Sequence, residues 1–357
     1  MPWENIHNLS RAAEEEGREQ KFFEVLAEGH FAPENIETRL VEPGSTLKRA
    51  PESEAFIEAG WEKEIENMAA RGEKPWPNDL KPTKYRLAGF AVEGDKLVVT
   101  LDPCVSYRDF RGVRTEEFVQ RFGKEALPNP LSALTMVIAK DRAGEEHMLV
   151  TLRNPKQDYK PGGYHVSTGG LMDSRRDKTP IDAALGELAE ESGILKDELE
   201  QFECRGLVYN PWTFHSEIVF RADTRTTIED IIERRKEKAR SKGLTEEEAE
   251  GELLFVPTKR VKLQQWLLGP AHAGVPSGLA EILLVGKDLV AEQGEDGERW
   301  YEEMRKALAW RSAEYENEAV RDALEHRDSE RLSKITAAYR EGNKERAFEP
   351  EGSAEKE

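Results

Sequence analysis

The sequence predicts an α/β protein, because apolar runs typical of strands alternate with segments of helical periodicity. The runs are rich in Val, Leu, Ile and aromatic residues, and turn residues separate them. The main predicted strands are 131–141, 147–153, 164–170, 204–212 and 214–223. The main predicted helices are 180–192, 227–240 and 278–289. This alternation favours a sheet that is packed against helices.

Length, composition and charge limit the classes of partner. The chain has 357 residues, of which 38% are hydrophobic and 34% charged, and its net charge is −19. A general nucleic-acid binder or a binder of acidic membranes needs a basic surface, so neither is expected. The sequence shows no signal segment and no apolar run of about 18 residues, which predicts a cytoplasmic protein without a membrane span. Cys104 and Cys204 lack metal-ligand spacing and are expected to be reduced or buried thiols.

The helix at 180–192 has clear signals at both ends. Thr179 is placed to be its N-cap, Pro180 suits the first helical position, and Asp182 completes a capping box. Gly193 follows as the C-terminal stop. One apolar stripe is formed by Ile181, Ala184, Leu185 and Leu188. This side of the helix is therefore expected to face a core.

Three glutamates share another face of this helix near its last turn. Glu187, Glu190 and Glu191 stand at i, i+3 and i+4, so their side chains are expected to converge. Mutual repulsion and the negative end of the helix dipole oppose three carboxylates there. A divalent cation removes this cost, and hard oxygen ligands suit Mg²⁺ or Mn²⁺. An ordinary acidic surface helix is the alternative interpretation.

With these residues the segment resembles a Nudix box, whose pattern is G-x5-E-x7-R-E-U-x-E-E-x-G-U, where U is a bulky aliphatic residue. The residues that match the pattern are Gly170, Glu187, Leu188, Glu190, Glu191, Gly193 and Ile194. The resemblance implies the Nudix fold, an α/β/α sandwich with a mixed sheet, over about residues 130–290. It also implies that the Gly170 carbonyl and the three glutamates bind the metal. Glu187 and Glu191 would be the catalytic carboxylates, with Glu187 the first choice for the general base.

Three features depart from the family pattern. The loop between Gly170 and Glu187 is two residues longer, and the loop glutamate of the pattern has no clean counterpart. Gly186 stands where the family has an arginine that orients the neighbouring glutamate. Positioning of Glu187 is therefore expected to be slack, unless Arg175 or Arg176 of the longer loop compensates.

Basic residues cluster before and within this loop. Arg153 follows a predicted strand, Lys156 and Lys160 come next, and Arg175 and Arg176 lie in the loop itself. In the family a basic residue after this strand often meets phosphate. We therefore predict that the substrate is bound by Arg153, Lys156, Arg175 and Arg176. For each residue alone, a solvated basic loop in an acidic protein is an equal alternative.

The chain is expected to have three parts: an N-terminal α+β extension over 1–125, the Nudix-like domain over 130–290, and a helical, acidic C-terminal tail over 291–357. The extension is predicted to contain helices at 12–27 and 53–70 and two strands within 87–103. Its segment 106–115 is similar to a stretch in the UDP-glucose pyrophosphatase-like branch of the family. The alternative for this segment is a strand-to-loop element packed by Tyr107 and Phe110. The extension is expected to cover the substrate or to form a dimer.

The resemblance implies metal-dependent hydrolysis of a nucleoside diphosphate that is linked to another group, with a nucleoside diphosphate sugar as the favoured kind. The partner is then a small molecule, nucleic acid and membrane are not expected, and a homodimer stays open. A catalytically weak Nudix-like module that binds nucleotides or regulates is the alternative. A relation to isopentenyl-diphosphate isomerases is disfavoured, because neither cysteine lies near the box.

Overall fold

The computed structural model describes residues 23–70, 74–76, 78–113, 116–153, 163–211, 213–243, 251–268 and 274–315. The predicted contacts of Lys156 and Lys160 and most of the predicted helix at 12–27 lie outside these residues.

Eleven strands are found in the described part of the chain. In chain order they are β1 (Glu24–Phe31), β2 (Ile36–Leu40), β3 (Lys84–Glu93), β4 (Lys96–Val105), β5 (Leu131–Lys140), β6 (Glu146–Leu152), β7 (Tyr164–Val166), β8 (Thr168–Leu171), β9 (Leu199–Asn210), β10 (His215–Thr224) and β11 (Glu252–Pro257). Eight of them form a large sheet in the order β1-β9-β10-β5-β6-β11, with β8 beside β5 and β7 beside β6. β5 and β10 run parallel, whereas the other paired strands of this sheet are antiparallel. The predicted mixed sheet is therefore confirmed.

Eight α-helices are found among the described residues. They are α1 (Pro51–Ala70), α2 (Tyr107–Gly112), α3 (Glu116–Phe122), α4 (Pro180–Glu187), α5 (Ile228–Ser241), α6 (Arg260–Leu267), α7 (Pro276–Glu292) and α8 (Gly297–Tyr315). The last five of them, α4 to α8, pack on the two faces of this sheet. A one-turn π-helix, Leu188–Ser192, continues α4.

The central strand β5 shows how both faces become buried. Leu134, Met136 and Ile138 point to one face and join a core with residues of α6, α7 and α8. On the opposite face, Ala133 packs with residues of α4, and Val137 packs with Leu188 and residues of α5. Side chains alternate along a strand, so a strand covered on both sides is apolar throughout. The predicted α/β/α sandwich is confirmed.

The N-terminal part builds a second, smaller sheet from β2, β4 and β3, with β2 and β4 parallel. The predicted strand pair within 87–103 is confirmed, and its turn contains Gly94 at φ +67°, a conformation that favours glycine. The predicted helix at 53–70 is also confirmed, and α1 begins slightly earlier, at Pro51.

Part of the predicted helix at 12–27 is wrong, because Glu24–Phe31 forms strand β1. Its partner is the long strand β9, with which it pairs from Glu24↔Tyr209 to Phe31↔Cys204. Helix propensity is a weak preference, and here the hydrogen bonds to β9 and the burial of Ala27 and Phe31 outweigh it.

Packing in the large sheet crosses both predicted part boundaries. β1, from the N-terminal part, is the edge strand of that sheet. Beyond residue 290, Trp300, Met304 and Leu308 of α8 are buried in the core with α7. Strand β1 and helix α8, which lie outside the predicted Nudix-like part, therefore pack with the sandwich. The division of the chain at residues 125 and 290 stays a prediction. No helix among the described residues is both long and apolar enough to cross a membrane.

Candidate active site

Helix α4 begins as its sequence predicts. The Thr179 hydroxyl accepts a hydrogen bond from the Asp182 backbone N–H at 3.1 Å, and the Asp182 carboxylate accepts one from the Thr179 N–H at 2.9 Å. This reciprocal capping box satisfies two backbone donors that the first turn leaves without helical partners. Ala183, Ala184 and Leu188 are fully buried against the sheet. The helix is therefore fixed at its start and along one side.

The end of the helix is a π turn, which the sequence did not predict. The Ser192 hydroxyl donates to the Leu188 carbonyl at 2.6 Å, and Gly193 ends the turn at φ +74°. Arg234 and Arg235 of α5 donate to the carbonyls of Gly193 and Glu191 at 2.9 and 3.0 Å. These guanidinium groups satisfy carbonyls at the helix end, where positive charge is favourable. Single π turns are frequent at functional sites, and this one carries Glu190 and Glu191.

Strand β8 brings two glycines against the box glutamates. The Gly169 N–H donates to the Glu191 carboxylate at 2.9 Å. A Cβ atom at Gly170 would lie 2.6 Å from Glu187 Oε1, so only glycine leaves room for the Glu187 carboxylate where it stands. Glu187 is mostly buried, with a side chain 15% exposed, whereas the Glu190 side chain is 54% exposed.

Arg176 of the longer loop contacts two of the three glutamates. Its guanidinium donates to Glu187 Oε1 at 2.8 Å, lies 3.6 Å from Glu190 Oε2 and also pairs with the buried Asp177 at 2.7 Å. A Cβ atom at Gly186 would meet nothing within 4 Å. Arg176 of the loop thus supplies a cation next to Glu187, whereas Gly186, at the position where the family has an arginine, supplies none.

The other basic residues that were predicted to bind the substrate are Arg153, Lys156 and Arg175. The Arg175 guanidinium forms two hydrogen bonds to Asp173, at 2.9 and 2.6 Å, and Lys84 pairs with the same carboxylate at 3.0 Å. The Arg175 hydrogen bond, with help from Lys84, holds the pKa of Asp173 well below its usual range. Arg153 lines a cavity beside the box, and Lys156 lies outside the described residues.

Two cavities meet at the box. The large cavity, of about 1270 Å³, is lined by Glu187, Arg175 and Arg176 and by residues of the N-terminal part that include Lys74, Trp76 and Lys84. The polar cavity, of about 360 Å³, is lined by Gly169, Gly170, Glu191 and Arg153 and by a group of buried polar side chains. Tyr107, Arg111 and Leu171 line both cavities.

The sequence did not predict that the segment between the two cavities is a helix. Residues 107–112 are the short helix α2, whose Ser106 and Asp109 make a second capping box. The Ser106-x-x-Asp109 spacing was the available signal. In this helix Arg111 lies over the Tyr107 ring at 5.1 Å and pairs with Glu64 of α1 at 3.1 Å, so α1 fixes its direction.

Sequence reasoning also assigned no role to three polar residues of the polar cavity, His165, His215 and Glu217. The alternation of His215 and Glu217 along one strand was visible, but His165 lies far away in sequence. The sheet brings the three together, because β7, β6, β5 and β10 are neighbours in it.

The donor set at the box fits a hard divalent cation. Glu187, Glu190 and Glu191 offer only carboxylate oxygens, and the close approach of Gly170 to Glu187 leaves backbone near the same position. Among the described residues, one group of three potential ligands has its atoms within 4.8 Å of one another: Asp141, Glu145 and His147. That group lies on the β5–β6 hairpin, at the opposite end of β5 from the Gly170 pairing. This group is therefore separate from the box. The three carboxylates of the box do not all lie within 4.8 Å of one another, and Arg176 lies beside Glu187 and Glu190.

Comparisons with known proteins give similarity in structure only. No protein-family profile and no curated protein matches this chain. Among solved structures, it is similar to a Nudix hydrolase from M. smegmatis (18% identity, TM-score 0.25, 43% of this chain and 86% of that one) and to a MutT/nudix family protein from Enterococcus faecalis (14%, 0.31, 62% and 87%). A third similar structure is a protein from Deinococcus radiodurans, with 19% identity and a TM-score of 0.22. The match covers 27% of this chain and 57% of the length of that protein. These values are too low to assign the chain to a family, so the proposal below depends on the residues of the site.

Proposed function

We propose that this protein is a metal-dependent hydrolase that cleaves the diphosphate of a nucleoside diphosphate linked to another group. The observation that carries the proposal is that the box residues lie where two cavities meet. Glu187 lines the large cavity, whereas Gly170 and Glu191 line the polar cavity. A substrate with one group on each side of a diphosphate would fill both. A nucleoside triphosphate has only one such group.

The charges around the junction support a diphosphate there. Arg175 and Arg176 line the large cavity, Arg153 the polar cavity and Arg111 both. In a chain with a net charge of −19, this concentration of cations is local. Arginine suits phosphate because its planar guanidinium donates several hydrogen bonds in a fixed geometry.

The proposed roles follow from these positions. Glu187, Glu190, Glu191 and the Gly170 carbonyl would hold Mg²⁺ or Mn²⁺. Such an ion, when bound, supplies charge neutralisation at the phosphate oxygens and acidifies a bound water. Glu187, oriented by Arg176, would accept the proton of the attacking water, and Glu191 is the second catalytic carboxylate. Attack at phosphorus breaks one P–O bond and releases a nucleoside monophosphate and the phosphorylated partner group.

One observation favours a second candidate, a binding or regulatory module with little chemistry. Arg176 contacts Glu187 and Glu190, and a cation at this position partly removes the repulsion that otherwise favours a metal. The two candidates differ in metal-dependent turnover.

The test is a substrate panel with purified protein and either Mg²⁺ or Mn²⁺. The panel contains nucleoside diphosphate sugars, ADP-ribose, dinucleotides, coenzyme A and nucleoside triphosphates. We expect metal-dependent release of a nucleoside monophosphate. Release should be faster from substrates that carry a group on each side of the diphosphate than from nucleoside triphosphates. A clear preference for triphosphates would contradict the proposed substrate class. Metal-independent binding without turnover would favour the second candidate.

A further inference from the structure

The most buried part of the polar cavity is lined by hydroxyl, imidazole and carboxylate groups. They come from strands β6, β7 and β10, the turn before β10, and the start of α7. The residues are Thr151, His165, Thr213, His215, Glu217 and Ser277. An interior wall of this kind is unusual, because buried polar groups need hydrogen-bond partners.

His215 is fixed between two polar partners. Its Nδ1 lies 2.7 Å from the Thr213 hydroxyl and its Nε2 lies 2.6 Å from Glu217 Oε1. The Phe110 ring of α2 meets the imidazole edge to face, with centroids 5.3 Å apart. Both ring nitrogens are thus engaged, so His215 orients Glu217 and holds one of its oxygens.

The surroundings of Glu217 favour its ionised form. Burial favours the neutral carboxyl, but the interaction with His215, including its hydrogen bond, outweighs burial and lowers the pKa of Glu217. Its second oxygen, Oε2, has no hydrogen-bond partner among the described residues. Ser277 lies near enough to support the charge, but short of good hydrogen-bond geometry.

Three further oxygens of residues that line the polar cavity lack partners in the described part of the chain, the hydroxyls of Thr151, Ser167 and Ser277. A buried polar atom without a partner destabilises the fold, because it has lost its hydrogen bonds to water. Four such oxygens at one cavity, with Glu217 Oε2 included, indicate that the wall is built for hydrogen bonds to something inside it. Water can make these bonds in the free protein, and ligand hydroxyls can reproduce them.

His165 adds a hydrogen-bond donor. The Val166 N–H donates to His165 Nδ1 at 2.8 Å, so in the neutral ring the proton is on Nε2. The ring keeps some access to the cavity, but the surrounding protein, with the charge of Arg153, lowers its pKa to about 4. At neutral pH His165 is therefore an uncharged donor.

This chemistry selects among ligand classes. A further phosphate is disfavoured by the Glu217 carboxylate, and an apolar group would leave the four oxygens without hydrogen bonds. A metal ion is disfavoured too, since both ring nitrogens of His215 are already engaged, by the Thr213 hydroxyl and by Glu217. A neutral group with several hydroxyls remains, because each hydroxyl both donates and accepts.

The sizes of the cavities separate this group from the nucleoside. The polar cavity, at about 360 Å³, is at the small end of the range of about 300–1,000 Å³ for ligand pockets. The large cavity is several times greater and contains Trp76, which is 74% exposed and offers an aromatic face for a base. The nucleoside therefore suits the large cavity.

We propose that the polar cavity binds a sugar, joined to the nucleoside through the diphosphate, and that Thr151, Ser167 and the Glu217 carboxylate recognise its hydroxyls. This inference rests on the proposed function, because it takes the diphosphate to lie at the box. It adds which cavity receives which end of the substrate and which residues select the sugar.

The test measures binding, so that it does not depend on turnover. The probes are the methylene-bridged, non-hydrolysable analogues of UDP-glucose and ADP-glucose, each compared with plain UDP and ADP by calorimetry in the presence of Mg²⁺. The variants are Thr151→Val, Ser167→Ala and Glu217→Gln. The matched control is Thr38→Val, which removes a buried hydroxyl that also lacks a partner among the described residues but lies in the small sheet, on β2.

We expect wild-type protein to bind at least one glucose-bearing analogue more tightly than the matching diphosphate. Thr151→Val, Ser167→Ala and Glu217→Gln should each weaken the binding of that analogue at least about fivefold, the factor of one ordinary hydrogen bond, and leave the binding of the diphosphate unchanged. Thr38→Val should change neither. Equal weakening of both ligands, unchanged binding of both, or no advantage of the glucose group in wild type would overturn the inference. Selective binding without turnover of UDP-glucose or ADP-glucose would refute the proposed hydrolase and leave the sugar site standing.

Discussion

At the scale of single residues, the proposed catalysis depends on how closely Gly170 approaches Glu187. Gly170→Ala places a methyl group 2.6 Å from Glu187 Oε1, and the flexible carboxylate must move away. The fold should tolerate this change, with stability within about 1 kcal/mol of wild type. Metal-dependent turnover should fall about 100-fold, because misplacement by about an ångström costs this much. Steady-state kinetics and urea unfolding measure the two effects.

Gly89→Ala is the control for this change, because a Cβ atom at Gly89 meets nothing within 4 Å. It should leave turnover unchanged. Full activity of Gly170→Ala would show that the Glu187 carboxylate does not need its present position.

A second residue-scale prediction concerns Gly186. Gly186→Arg should stabilise the protein by about 0.5–1 kcal/mol, since glycine is a poor helix former and the space there is open. It should not raise the metal-dependent rate, because Arg176 already contacts Glu187 at 2.8 Å. Arg176→Gln should lower the rate, and adding Gly186→Arg to it should restore part of the loss.

Urea unfolding and turnover of the single and double variants give these quantities. A faster Gly186→Arg enzyme would show that Arg176 does not replace the missing arginine. A less stable one would show that α4 is not free to accept a side chain at position 186.

At the scale of elements, helix α2 is held by a close helix contact. A Cβ atom at Gly112 would lie 2.5 Å from the backbone oxygen of Ile57 in α1, and neither backbone can yield cheaply. Gly112→Ala should destabilise the protein by about 1–3 kcal/mol and raise KM, because α2 carries Tyr107 and Arg111 into both cavities. Gly186→Ala, another helical glycine, should instead stabilise. Wild-type stability and KM for Gly112→Ala would show that α2 does not wall the substrate.

Sequence signals predicted those elements whose ends are set by hydrogen bonds between residues close together in the chain. Thr179, Asp182 and Gly193 define the ends of the box segment through short-range hydrogen bonds and a left-handed glycine. The π turn depends on Arg234 and Arg235, which reach it from α5, and β1 depends on pairing with β9. Contacts between segments so distant in sequence leave no local pattern to detect.

At the scale of the whole molecule, the core contains an acid whose burial makes stability depend on pH. Glu281 of α7 is fully buried, and burial, with the nearby Glu217 charge, raises its pKa well above the usual range. The folded protein therefore keeps a proton that the unfolded chain releases. The stability from this group is present below the ordinary glutamate pKa and is lost as pH rises towards the folded pKa.

Glu281→Gln removes this loss. Its stability relative to wild type should increase between pH 5 and pH 8, by up to about 1.4 kcal/mol for each pH unit. Urea unfolding at several pH values measures the difference. A difference that is constant or decreases with pH would show that Glu281 is ionised in the folded protein.

The whole-molecule arrangement also explains how far the site could be predicted. Gly170 and the box glutamates are joined by one strand, loop and helix, so their proximity followed from spacing. The roles assigned to them stay predictions. The polar cavity combines β6, β7, β10, α2 and α7, and only the assembled sheet brings Thr151, His165 and Glu217 to one wall. Sequence spacing carries no information about such a wall.

The most direct test of the central claim is metal-dependent turnover by the Glu190→Gln/Glu191→Gln double variant. Glutamine has nearly the same shape as glutamate, and its side-chain oxygen can still accept the Gly169 N–H at position 191, so thermal unfolding should stay close to wild type. We expect wild-type protein to hydrolyse a nucleoside diphosphate sugar only with Mg²⁺ or Mn²⁺, and the double variant to lose at least about 100-fold in rate. Unchanged hydrolysis by a folded double variant would remove the box from the mechanism and contradict the account.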